Sequence, residues 1–291
     1  MTQPMFFRAA ILAVALALPA VPALAQDHAH ASPQPPRLKW SFAGPFGKFD
    51  QAQLQRGFKI YKEVCAACHS AEMLSFRNLA ETGGPGYSVA QAETIAGEYK
   101  IKDGPNDQGE MFERAGRLAD AFPKPFANEQ AARVANGGAS PPDFSVIAKA
   151  RTYERGFPWF VFDMFTQYQE HGADYIAALL RGYQEKPKNM EMPAGMSFNM
   201  YFPGHAIGMP PPLQDGQVTF DDEAPATIEQ YSKDVSAFLM WVAEPHLVAR
   251  KRLGLQVMIF LLVLASLLYF TKKKVWSDVH AHPEKLQDKS T

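Results

Sequence analysis

The chain of 291 residues is 47% hydrophobic and 20% charged, which suits one globular domain or a domain with appendages. Its formal net charge of −1 conceals an asymmetry: residues 26–249 carry 27 acidic and 20 basic side chains, a net of −7, and residues 250–291 carry 8 basic and 3 acidic, a net of +5. An acidic body argues against nucleic-acid binding and attracts basic protein partners, although ordinary solubility charge has the same sign.

The first segment reads as an address. Arg8 precedes an apolar run from Ala9 to Leu18, and Ala23-Leu24-Ala25 forms an A-x-A cleavage site. A secretory signal peptide is expected over residues 1–25, with the mature chain starting at Gln26. A retained anchor is the alternative, and the apolar run is short for one. Residues 26–49 are rich in Pro, Gly and aromatics, Trp40, Phe42, Phe46 and Phe49 among them, and read as an extended arm laid over the domain surface. His28 and His30 read as part of a solvated terminus. A helix is predicted from Asp50. Asp50 and Gln53 resemble a capping box, and Leu54, Phe58, Tyr61 and Val64 recur at helical spacing. Gly57 in its middle costs about 1 kcal/mol against Ala and points to close approach by another helix.

That helix delivers the chain into Cys65-Ala66-Ala67-Cys68-His69, the C-x-x-C-H pattern of c-type haem attachment. Two thiols three positions apart reach the two vinyl groups of one haem. The following His69 then supplies an imidazole nitrogen as axial ligand. A redox C-x-x-C does not need the histidine. A zinc site needs further Cys or His at short spacing, and these are the only two cysteines of the chain. With both held in thioethers, no disulfide is expected. Export fits this chemistry, because bacterial haem c is attached on the far side of the membrane.

Residues 70–127 read mostly as loop, with a short helix around Val89–Tyr99 and a polar turn over residues 103–110. Asp103, Asp107, Glu110, Glu113 and Asp120 form either a docking face or a solvated loop. Asn128 is placed to cap a helix through Ala135, with Gly137 as its stop. Ser140-Pro141-Pro142-Asp143 is a rigid loop suited to line a haem edge. Arg151 offers charge and hydrogen bonds to a haem propionate, though a generic surface Arg looks the same in sequence. Tyr153–Glu170 is dense in aromatics and reads as an inserted, packed loop or short helix; Asp174–Tyr183 reads as a helix. A second axial ligand has six candidates: Met190, Met192, Met196, Met200, His205 and Met209. Met209 has the best local argument, because Gly208-Met209-Pro210-Pro211-Pro212 restricts the backbone that carries it. Thioether ligation raises the potential, whereas His205 would give a bis-His haem of lower potential.

The last soluble helix is predicted from Thr227, with Gln230 completing a capping box and Pro245 ending it. Its stripe of Tyr231, Val235, Phe238, Leu239 and Val242 is expected to cross the first helix near Gly57 and close the haem crevice. Leu253–Phe270 is 18 residues without a charge, roughly 27 Å of helix, between Arg250-Lys251-Arg252 and Lys272-Lys273-Lys274. This is a membrane span with snorkelling flanks. The expected layout is a haem domain at 26–249 outside, an anchor at 250–274 and a cytoplasmic tail at 275–291. The local positive-inside count is nearly balanced, so export of the haem domain sets the orientation.

Seven segments together resemble the cytochrome c₁ family, the c-haem subunits of cytochrome bc₁ complexes. They are WSFAGPFGKFD, VCAACHS, DGPNDQGEMFERAGRLADAFPKPF, NGGASPPDFSVIAKAR, YFPGHAIGMPPPL, KDVSAFLMWVAEP and RKRLGLQ. The signal peptide suggests a bacterial member. The resemblance implies one covalent haem c held by Cys65 and Cys68, with His69 and Met209 as axial ligands. It places propionate-side and crevice contacts at Asn136, Pro141, Pro142, Arg151, Tyr175, Phe202 and Ile207. It marks residues of about 152–170 as an insertion that shorter mitochondrial members lack; with no cysteines for a disulfide there, packing is expected to stabilise it. Met209 lies 140 residues after His69. The expected fold is therefore mainly α, an elaborated cytochrome c-like domain with long loops plus one C-terminal transmembrane helix.

The function implied is electron transfer within quinol:cytochrome c reductase, a bacterial inner-membrane complex whose haem domain is periplasmic. Cytochrome b, the Rieske iron–sulfur protein, a soluble c-type cytochrome and membrane lipid are the implied partners, in a dimeric complex. A stand-alone tail-anchored shuttle and a haem enzyme with one open axial site are the other classes. Rapid carbon monoxide binding to the reduced haem would mark the latter.

Overall fold

The computed structural model describes residues 33–153, 155–166 and 168–281. The expected signal peptide over residues 1–25, His28, His30 and residues 282–291 lie outside them. Among the described residues the architecture is mainly helical, with two short antiparallel strand pairs and one long C-terminal helix.

Helix α1 (Gln51–Glu63) and helix α7 (Ile228–Ala243) pack against each other, and helix α6 (His171–Arg181) packs on α7. The contact of α1 with α7 rests on Gly57. A Cβ there would lie 2.3 Å from the Asp234 carbonyl oxygen and 2.6 Å from the Phe238 Cβ, so only a glycine admits the neighbouring backbone. Around this contact Phe58, Tyr61, Phe122 and Phe238 bury their rings against one another at centroid separations of 5.7–6.1 Å.

Both long core helices start as predicted, at Asp50 and Thr227, whose side chains accept from the backbone N–H of Gln53 and Gln230. The reciprocal half of each capping box is absent. Gln53 and Gln230 instead donate their side-chain amides to Asp234, at 3.0 and 2.9 Å. A fully buried carboxylate outcompetes a helix-end N–H that water can serve. Arg56 completes the cluster with Nε donating to Asp234 at 2.7 Å and Nη1 to Asp222 at 2.6 Å.

Other expectations are corrected. The arm before α1 runs mostly at the surface, as expected, but it plants two side chains deeper than a surface arm would: Trp40 and Phe42 are buried in the core, stacked at 5.2 Å, and Trp40 Nε1 donates to Asp174 at 2.9 Å. The polar turn after helix α2 (Val89–Gly97) is the tip of a hairpin, β1 (Lys100–Asp103) against β2 (Phe112–Ala115). Its strands are four residues long and largely exposed, so no alternation of apolar residues announced them. Within it Arg114 binds Asp103 and Asp120 and holds Asp120 down to about 2, so these two acids serve the fold. Helix α3 (Glu129–Ala135) is capped by Asn128 as predicted, with Gly137 at φ 61° behind it.

The insertion takes the short-helix reading as α5 (Trp159–Thr166), reached from helix α4 (Ile147–Ala150), and Tyr153 and Tyr168 pack on His171, but its phenylalanine and tryptophan rings are largely exposed rather than packed. Ion pairs fasten it: buried Asp163 accepts from Arg37 at 2.7 Å and from Arg155 at 2.6 Å. Helix α6 starts at His171, three residues before the predicted Asp174, and in its first turn a Cβ at Gly172 would lie 1.7 Å from the Ala148 carbonyl oxygen, so glycine there admits α4. The final helix α8 runs from Leu247 to Ala281 and contains the predicted apolar stretch and both of its basic flanks. None of its membrane-length apolar window is buried.

Candidate functional site

Beyond α1 the chain tightens into a 3₁₀ turn, Cys65–Ala67, in which the N–H groups of Cys68 and His69 both donate to the Cys65 carbonyl, at 3.1 and 2.9 Å. This turn displays Cys65, Cys68 and His69 along one wall of a cavity of about 440 Å³. That volume is within the roughly 300–1,000 Å³ typical of cofactor sites. No disulfide joins the two cysteines. Burial pushes the Cys65 thiol up to about 12, a setting that suits a neutral thioether better than a thiolate.

The His69 ring is fixed on two sides. Nδ1 lies 2.8 Å from the Pro142 carbonyl oxygen, and the ring stacks on Phe144 at 4.1 Å and 17°. A carbonyl only accepts, so Nδ1 carries the proton and Nε2 keeps its lone pair for a metal. Burial lowers the pKa of His69, which favours the same neutral state. The 140–145 loop is itself braced by Asp143, which accepts from Ser70 Oγ at 2.8 Å, Glu72 N at 2.9 Å and Ser145 N at 2.7 Å. Burial alone would push the Asp143 carboxyl up; these hydrogen bonds outweigh it and hold it below the usual range.

Another part of the lining comes from the segment after the pair β3 (Ser197–Phe198) and β4 (Ala206–Ile207). Met209 lines the cavity there, and its carbonyl accepts from Tyr183 OH at 3.1 Å. Of the six sequence candidates for a second ligand, Met209 alone lines this cavity. His205 sits in the β3–β4 connection at φ 62°, stacked on Phe198 with Nδ1 3.2 Å from the Asn199 carbonyl oxygen.

The structure brings the remaining predicted residues to the same cavity: Asn136, Pro141, Pro142, Arg151, Tyr175, Phe202 and Ile207 all line it. Arg151 is the one Lys or Arg among the lining residues, and no carboxylate lines the cavity. Sequence reasoning missed Phe144, Ile147, Ile176, Leu179 and Leu180, which add apolar surface. Ile176, Leu179 and Leu180 follow helical spacing on α6, a signal indistinguishable from core packing until the fold is known. Val235 and Leu239, read as core stripe, reach the cavity from α7 where it crosses α1.

A haem c fits this donor set: two thiols, an imidazole with a free nitrogen, a thioether, apolar walls for the macrocycle and one cation for a propionate. The fold and site define the class, a membrane-anchored c-type cytochrome. The comparisons then specify it. The Cytochrome C1 family profile matches residues 40–279. The chain is 64% identical over 278 residues to "Cytochrome b/c1" of Bradyrhizobium diazoefficiens, covering 93% of this chain and 40% of that protein. It is 49% identical over 276 residues to cytochrome c1 of Blastochloris viridis, covering 94% and 96%. With cytochrome c1 of Rhodospirillum rubrum it shares 44% over 241 residues, covering 82% and 86%. The chain belongs to the cytochrome c₁ family, and with it to the haem-bearing proteins of electron transport.

Proposed function

We propose that this chain is the electron-transferring haem subunit of a quinol:cytochrome c reductase. In that role it stands between the Rieske iron–sulfur protein as donor and a soluble c-type cytochrome as acceptor, with cytochrome b beside it in a dimeric complex. Its periplasmic haem domain spans residues 26–249 after removal of residues 1–25. The anchor at 250–274 holds it to the bacterial inner membrane, and residues 275–291 are cytoplasmic. The complex contributes to respiratory or photosynthetic proton-motive force. The observation that carries the reading is the convergence of Cys65, Cys68, His69 and Met209 on one apolar cavity.

In this reading a haem c, when bound, supplies one-electron Fe(III)/Fe(II) chemistry. Cys65 and Cys68 tether it by thioethers. His69 and Met209 would supply the imidazole and thioether donors to its iron, which would leave no place there for dioxygen or peroxide. Pro142 sets the tautomer of His69, and Arg151 counters a propionate. Asn136, Pro141, Tyr175, Phe202 and Ile207 complete the walls and limit water.

The test is a reduced-minus-oxidised spectrum of the full chain purified gently in detergent. The b-type bands are expected beside the c-type band at constant ratio, with quinol reducing both. A c-type band alone, inert to quinol, would replace the reductase reading with a stand-alone shuttle.

A further inference from the structure

The insertion that the haem site does not use presents an apolar face next to the root of the anchor. Over residues 156–166 the sequence contains a single charge, Asp163. That carboxylate points inward, buried between Arg37 and Arg155, so the outer side of α5 carries no charge. The insertion presents Phe157 at 82% exposure just before α5 and, on α5, Trp159 at 52%, Phe160 at 56%, Phe162 at 54% and Phe165 at 79%. Water around five large aromatic groups is a cost that a soluble surface does not normally carry.

The position of this face relies on fixed contacts. Directly after it, Gln169 and Glu170 share a crevice with Leu247, Arg250 and Lys251, the first turn of α8. That turn is itself clamped to the domain. Lys251 Nζ donates to the Phe42 carbonyl at 2.6 Å, and Glu244 joins Arg250 at 2.5 Å to Lys149 at 2.6 Å. The C-terminal end of the insertion is therefore anchored beside the root of the apolar helix.

We propose that α5 is a membrane-interface foot: its Phe and Trp side chains enter the headgroup and upper acyl region on the side of Arg250–Arg252. Two observations favour lipid over a protein partner. The insertion runs directly into the crevice at the root of the anchor, where Gln169 and Glu170 meet Leu247, Arg250 and Lys251. Its exposed face combines Trp and Phe without charge, the composition of interfacial segments. Such a foot gives the domain a second point of attachment and restrains its tilt about the single span.

The test places p-benzoylphenylalanine separately at Phe160 and Phe165 of the full chain in its native membrane. A third site at Val134, which is 86% exposed on α3, is the control. Irradiation is expected to yield phospholipid adducts, identified by mass, at 160 and 165 and not at 134. Adducts to a polypeptide at those sites, or none of either kind, would overturn the proposal. Both test positions are exposed, and the two sites are read independently, so loss of one variant leaves the other. The readout does not depend on haem or on quinol oxidation, so it stands apart from the reductase assignment.

Discussion

The hydrogen bond from His69 Nδ1 to the Pro142 carbonyl decides which ring nitrogen faces the cavity, and it is made by a backbone atom 73 residues away. At this scale two predictions follow from single side chains. Met209→Leu removes the thioether from the cavity that His69 also lines. The midpoint potential should fall, and the reduced protein should acquire carbon monoxide binding through the vacated position. An unchanged potential would mean that Met209 is not the ligand. Asp143 offers the second. Its folded pKa lies below the ordinary 3.8, so its stabilising contribution is complete above that value and is lost as pH falls through the folded one. Asp143→Ala should therefore weaken the protein at pH 6 and lose progressively less, relative to wild type, on acidification below about pH 4. Thermal melts in detergent across that range read the difference.

Among the elements, the crossing of α1 and α7 carries the most structure. Gly57 sets the separation, and Asp234 then collects Gln53, Arg56 and Gln230 into one buried cluster. Asp234→Ala strands the partly buried Arg56 and two side-chain amides. The expected loss is about 3–5 kcal/mol, measured by denaturant unfolding of the purified chain. A loss below 1 kcal/mol would place the stability of the crossing in its aromatic packing alone. The insertion follows the same logic of buried charge. Asp163 holds α5 through Arg37 and Arg155, where packing of its own aromatic rings was expected from sequence.

For the whole molecule the acidic body matters to encounter. The net of −7 over residues 26–249 predicts that reduction of a basic soluble cytochrome slows as ionic strength rises. Between 10 mM and 150 mM salt the screening length falls from about 30 Å to about 8 Å, and the second-order rate should fall several-fold. Stopped-flow mixing at graded salt reads this, and a flat response would remove steering from the account. Of the five acids singled out over residues 103–120, Asp107, Glu110 and Glu113 are exposed, while Asp103 and Asp120 are bound to Arg114.

Local chemistry was legible from the chain alone. C-x-x-C-H, the caps at Asp50, Asn128 and Thr227, the close approach at Gly57 and the uncharged apolar run in α8 each declare themselves within a few residues, because the cause acts over a few residues. What only the tertiary structure decided depends on distant partners. Gln53 and Gln230 abandon their capping boxes for Asp234. Trp40 and Phe42 of an otherwise surface-lying arm insert into the core, and the hairpin forms from strands too short and too exposed to show a period. The seating of Met209 at the cavity, with His205 held aside by Phe198 and Asn199, belongs to the same group. In every case a polar or aromatic group had two satisfactory local fates, and the partner that made one of them lower in free energy lay far along the sequence.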